Sequence, residues 1–120
     1  MKSDNRAKGI YAENIACTYL CEKGYTLLER NFKVKGAEID IIAIKNRILS
    51  IIEVKARSSD EYGRPSEAVD FKKQTKIKSA ATIYYQNYNK EVMLEFEEFS
   101  FDVIEIDLVS DSINHLIDAF

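Results

Sequence analysis

Asp40 and Glu53 lie in two apolar, β-rich runs, Glu38 to Ile44 and Ile48 to Ala56, separated by a short turn near Asn46 and Arg47. If those two residues make the turn of a hairpin, positions whose numbers sum to 93 face each other and Asp40 falls opposite Glu53. Cross-strand Cβ atoms are about 4.5 to 5.5 Å apart, so carboxylates placed this way repel, and desolvation in the middle of a sheet adds to the cost. A cation between them removes the conflict. A hard divalent ion, Mg²⁺ or Mn²⁺, takes oxygen ligands and often binds through one or two carboxylates, with waters and substrate phosphate completing its shell. Lys55 follows Glu53 by two positions and projects from the same face of its strand. An amine there can orient or deprotonate an attacking water, or neutralise charge building on a phosphate, while the ion lowers the water's pKa. Glu13, from a preceding helix, can add a ligand through water or position the nucleophile. Spacing alone leaves open a plain buried ion pair between Lys55 and one of the two acids.

The elements that must hold these groups are legible from periodicity. Between Arg6 and Lys23 the apolar positions Ile10, Ala12, Ile15, Ala16, Tyr19 and Leu20 recur at helical spacing, and Gly24 stops the run. Glu13 is in register with Ala16, Cys17 and Leu20, beside the stripe that faces a core. Tyr25 to Val34 reads as a first strand, followed by the two runs of the hairpin. In those runs Ile39, Ile41 and Ala43 oppose Asp40, Ile42 and Ile44, and Leu49, Ile51, Glu53 and Lys55 oppose Ile48, Ser50, Ile52 and Val54. Both faces are largely apolar, so these strands belong inside a sheet covered on two sides. After a polar loop from Arg57 to Glu67, a second helix is expected from near Asp70, its cap, to about Tyr88. Ser100 to Val109 reads as a strand and Ile113 to Phe120 as a short edge strand, while residues 89 to 97 are ambiguous. With 120 residues, 46% of them apolar, one Pro and four Gly, a single domain over 1–120 is expected.

Composition narrows the function classes. No apolar run approaches the roughly 18 residues of a membrane span and the N-terminus is polar, so a cytoplasmic protein with no membrane partner is expected. Cys17 and Cys21, with His115 as the single histidine, do not make a zinc site and read as reduced thiols buried in helix packing. The net charge of −3 conceals a segregation: positions 91 to 120 hold nine acidic residues and no Lys or Arg, leaving 17 basic against 11 acidic residues in positions 1 to 90. Binding of phosphate depends on local potential, so nucleic acid remains a compatible partner. Arg57, Arg64, Lys72, Lys73 and Lys76 follow the acidic pair and are placed to hold phosphates. Their alternative, helix solubility, fits Lys78 and Lys90 better. Tyr84, Tyr85 and Tyr88, at helical spacing, read as packing rather than base stacking. His115 reads as structural.

Three motifs carry a family resemblance: Gly36-Ala37-Glu38-Ile39-Asp40-Ile41-Ile42-Ala43, Glu53-Val54-Lys55-Ala56-Arg57, and Glu67-Ala68-Val69 before Lys73-Gln74. They resemble the bacterial YraN-like family, which looks like a branch of the PD-(D/E)XK nuclease superfamily alongside archaeal Holliday junction resolvases and restriction endonucleases. The likeness extends over Gly9 to Glu13, Gly24-Tyr25, Arg30-Asn31, Phe101-Asp102-Val103 and the ending from His115 to Ala119-Phe120. It implies an α/β, restriction-endonuclease-like fold, a central mixed sheet with helices on both faces. Asp40 matches the first acidic position, Glu53 and Lys55 the E-x-K pair, and Glu13 the acid of the preceding helix. Asp40, Glu53 and the Val54 backbone carbonyl are then the expected metal oxygens. Ile39 stands where the superfamily's name has Pro, and Ala37 where the family usually has Gly. The resemblance implies a Mg²⁺- or Mn²⁺-dependent endonuclease acting on DNA, with branched or recombination DNA as the favoured substrate, and cutting two strands symmetrically calls for a homodimer. The alternatives are a nucleic-acid-binding module of the same fold without turnover, and a protein-interaction domain using the acidic C-terminal segment.

Overall fold

The computed structural model describes residues 2–58, 69–87 and 96–120. Helix α1, Lys2–Glu22, buries Ala12, Ala16 and Leu20 along one stripe and ends where the spacing predicts. Gly24, at φ 92°, closes it: its N–H donates to the Cys21 carbonyl and the Tyr25 N–H to the Leu20 carbonyl, the paired bonds of a left-handed helix stop. Three strands follow, β1 Thr26–Val34, β2 Ala37–Lys45 and β3 Ile48–Arg57, then helix α2, Phe71–Asn87, and strands β4, Glu98–Asp107, and β5, Ile113–Leu116. They form one mixed sheet in the order β1-β2-β3-β4-β5, antiparallel throughout except for the parallel pair β3 and β4, which the crossover through α2 connects.

The hairpin of β2 and β3 has the expected register. Asn46 and Arg47, both at positive φ (52° and 66°), make a two-residue turn, and pairing runs from Lys45 with Ile48 to Ile41 with Ile52. Its alternation sorts the core into two layers. On one face α1 packs Ala12, Ala16, Cys17 and Leu20 on Ile41, Ala43, Ile52, Ile104 and Ile106. On the other, α2 packs Ile77, Ala80, Ala81 and Tyr84 on Ile42, Leu49, Ile51 and Val103. Ile39 joins this second layer, although it is in step with Ile41 along the strand. Ile41, Ile42, Ile51 and Ile52 are at most 1% exposed. At about 1.5 to 3 kcal/mol for each fully buried side chain, these four contribute more to the hairpin than a repelling pair of carboxylates takes away. This is the α/β sheet with helices on both faces that the sequence predicts for a restriction-endonuclease-like fold. Among the described residues, no helix is long and apolar enough to cross a membrane.

Two features were not expected. Cys17 is buried, but Cys21 is exposed rather than packed: four residues advance an α-helix by about 400°, so a side chain at the stripe's margin leaves it one turn later. The structural reading of His115 gains a full set of partners. Asp102, with no exposed surface, accepts hydrogen bonds from the Ser100 hydroxyl and the Asp118 N–H and lies 2.8 Å from His115 Nε2. On its other side, His115 Nδ1 lies 2.9 Å from the Tyr19 hydroxyl. The chain of bonds ties the C-terminal segment and β4 to α1.

Candidate active site

Where β2 and β3 reach Asp40, the backbone ladder stops and a side chain takes over. Asp40 Oδ2 accepts the Val54 N–H at 2.8 Å, so the carboxylate occupies the place of a strand partner. A strand residue sends its N–H and C=O to the same side, so the Val54 carbonyl also faces β2. Glu53, 8% exposed, lies on the α2 face next to Asp40, and both line a cavity of about 500 Å³. The hairpin register therefore brings together the two acids that the sequence pairs.

The electrostatics follow from this placement. Burial, and after it the charge of Glu53, push the Asp40 carboxyl up from 3.8 to about 7, against the opposing effect of the Val54 hydrogen bond. Glu13 and Glu38 add smaller contributions in the same direction. Asp40 is thus about half-protonated near neutrality, as follows for one member of a buried pair of acids.

The amine on Glu53 comes from α2. Lys73 Nζ donates to Glu53 Oε1 at 2.6 Å. Burial works to lower the Lys73 pKa, but the hydrogen bond to Glu53 and the charges of Glu53, Asp40 and Asp70 outweigh it and hold the lysine above its ordinary value. Its position is set by the helix start: Asp70 Oδ1 caps α2 by accepting the Lys73 N–H at 2.8 Å, as the sequence predicts for Asp70. Lys72 and Lys76 line the same cavity.

The other candidates are distributed as follows. Lys55 is half-buried two positions beyond Glu53 on β3 and, among the described residues, makes no hydrogen bond or ion pair. Glu13 lies on α1 across the sheet, 3.5 Å from Arg30, and its charge reaches Asp40 without its side chain lining the cavity. Arg57 turns to Glu105 on the neighbouring strand, 3.4 Å away. Arg64 lies outside the described residues. Sequence reasoning placed Lys73 among phosphate-holding residues and missed its pairing with Glu53, because helix periodicity does not state where a helix crosses a sheet. It also missed Glu105, whose position beside Lys55 depends on the parallel register of β3 and β4. Among the described residues, no group of three or more His, Cys, Asp or Glu converges as a metal site. Two carboxylates and a backbone carbonyl fit a Mg²⁺-like ion that keeps several waters rather than an all-protein cage.

The profile of Uncharacterised protein family UPF0102 matches residues 12–109. The chain belongs to that family. This is the YraN family of the sequence resemblance. The chain is 48% identical over 124 residues to a UPF0102 protein of Clostridium botulinum (strain Eklund 17B / Type B), covering 100% of this chain and 98% of the relative. A UPF0102 protein of Clostridium perfringens (strain 13 / Type A) is 44% identical over 124 residues with the same coverage. One from Caldanaerobacter subterraneus subsp. tengcongensis is 40% identical over 126 residues, covering 99% of this chain and 98% of the relative. The match to UPF0102 takes in Glu13, Asp40, Glu53, Lys55 and the α2 lysines.

Proposed function

We propose that this UPF0102 protein is a divalent-cation-dependent endonuclease that hydrolyses phosphodiester bonds in DNA, with branched or recombination DNA as its substrate. The observation that carries the proposal is the buried meeting of Asp40 and Glu53 at a cavity rimmed by Lys72, Lys73 and Lys76. A fold gains nothing from holding two acids together out of water, whereas a cation site requires it. Asp40, Glu53 and the Val54 carbonyl would hold Mg²⁺ or Mn²⁺, which supplies an activated water and polarises a phosphoryl oxygen. Around that centre, Lys72 and Lys76 bind backbone phosphates as point charges. Lys55, on the face of β3 that carries Glu53, neutralises charge on the phosphate or orients the water, and the cavity walls keep the reacting group in register. Glu13 acts from across the sheet as a charge that keeps Asp40 basic rather than as a group touching substrate. Cutting both strands of a junction would take two copies of the chain, and a cytoplasmic location suits a DNA substrate.

The test is a panel of linear, flapped and four-way DNA incubated with Mg²⁺ or Mn²⁺. Cleavage of at least one structure is expected, with Asp40→Asn and Lys55→Ala each reducing it by about 10²-fold or more while circular dichroism stays unchanged. Binding without cleavage across the whole panel would favour a nucleic-acid-binding module of the same fold. Absence of binding would favour a protein-interaction domain.

A further inference from the structure

Lys73 has a chemistry distinct from that of its neighbours. Lys72 and Lys76 line the cavity, but Lys73 alone among the α2 lysines has its ammonium on one of the two central acids, 2.6 Å from Glu53 Oε1. The pair is unequal: the Glu53 side chain is 10% exposed and the Lys73 side chain 46%. The acid is fixed on a central strand, and the amine reaches it from the rim on a flexible stem. With both carboxylates ionised, one ammonium leaves the pair one charge short of neutral, whereas a divalent ion closes the balance. An ammonium and a divalent ion on the same carboxylate repel strongly in a partly desolvated site. Among the described residues, Asp40 uses only Oδ2 and Glu53 only Oε1 in hydrogen bonds, so each carboxylate keeps one oxygen uncommitted.

We propose that Lys73 is the resident counter-ion of the acidic pair: it holds Glu53 until a divalent cation arrives, is displaced by that cation, and then joins Lys72 and Lys76 on a phosphate of the nucleic acid. Cation uptake and substrate grip are thereby linked, since the amine becomes available to phosphate only once the ion has taken its place. This rests on the nuclease reading of the site and adds to it a competition between ion and amine. The α2 cap supports it: Asp70 holds the Lys73 backbone N–H, so the residue's main chain stays put while its side chain exchanges partners.

The test is calorimetric titration of the full chain with Mn²⁺ alone, followed by DNA binding at saturating Mn²⁺ under conditions too short for cleavage. Lys73→Met, which keeps the stem and removes the charge, is expected to bind Mn²⁺ about tenfold more tightly than wild type, because no amine must be displaced. Lys72→Met and Lys76→Met remove the same charge from the same cavity without touching Glu53, and are expected to change Mn²⁺ affinity by less than about threefold. Once loaded with Mn²⁺, Lys73→Met is expected to bind DNA several-fold more weakly. Lys73→Arg, a second variant that keeps charge and fold, is expected to bind Mn²⁺ no more tightly than wild type. Equal Mn²⁺ affinity in wild type and Lys73→Met, or an equal gain in Lys72→Met, overturns the exchange and leaves the metal site standing. Failure of both wild type and Lys73→Met to take up Mn²⁺ overturns the exchange together with the nuclease proposal.

Discussion

Asp40 is the residue at which the conflict between folding and function is sharpest. Its carboxyl titrates at about 7 in the folded chain and near 3.8 when free of the fold, so the folded state holds the proton more tightly. Stability from this group is therefore present below about pH 4 and lost progressively as pH rises through 7. Asp40→Asn keeps an oxygen for the Val54 N–H and removes the charge. In a metal-free buffer at pH 8 it should be more stable than wild type by about 2 kcal/mol, a gain that shrinks towards pH 5, as denaturant melts at the two pH values will report. Adding Mn²⁺ should reverse the order, stabilising wild type and leaving Asp40→Asn unchanged. An Asn variant less stable than wild type in chelator would mean that the carboxylate is there for structure. Much of this residue's setting was legible in the sequence, because a two-residue turn fixes which positions face each other. The partner of Glu53 was not, since Lys73 reaches it from twenty positions away with only helix packing to bring the two together.

At the scale of elements, the β2 and β3 hairpin and the start of α2 divide the work of positioning. The hairpin places the acids, and the cap on α2 places the lysine. Asp70→Ala should cost about 1 kcal/mol in stability through the lost cap and should also loosen the Lys73 contact with Glu53, raising Mn²⁺ affinity in the direction of Lys73→Met. The other junction of elements, Asp102 with His115, Ser100 and Tyr19, lies on the α1 side of the sheet and has no part in the cavity. Removing a buried carboxylate that accepts several hydrogen bonds leaves its donors stranded, so Asp102→Ala should lose about 2 to 4 kcal/mol while leaving Mn²⁺ affinity per folded molecule unchanged. Helix and strand positions came through in the sequence because apolar periodicity encodes them directly: α1 stops just before Gly24 as expected, whereas β4 is displaced by two residues to Glu98–Asp107 and β5 ends at Leu116 rather than Phe120. This junction did not, because Tyr19, Asp102 and His115 are brought together only by the stacking of α1 on β4 and β5. Arg57 shows the same limit: its turn towards Glu105 follows from a parallel pairing that no short loop sets.

Over the whole molecule, charge is sorted by position along the chain. The basic residues of α2 border the cavity, and the acidic C-terminal part supplies β4 and β5 at the other side of the sheet. Exposed acids of this part, Glu98, Asp111 and Asp118, would repel DNA, so the proposed substrate should approach over α2 and be gripped by few contacts. Binding to DNA should therefore weaken with salt, and Lys76→Ala should reduce the slope of log K against log salt by about 1, the contribution of one phosphate contact. An unchanged slope would remove Lys76 from the interface.

The sheet's connectivity has a consequence in time as well as in space. Strands β1 to β3 follow one another through tight turns, whereas β4 must wait for a connection spanning residues 58 to 97 before it can pair beside β3. Short closures are faster than long ones, so on the way to the native state Asp40 and Glu53 meet before α2 delivers the amine that quiets them. During that interval the hairpin must tolerate its own repulsion, and relieving it, as Asp40→Asn does, should make the chain refold faster in a stopped-flow experiment.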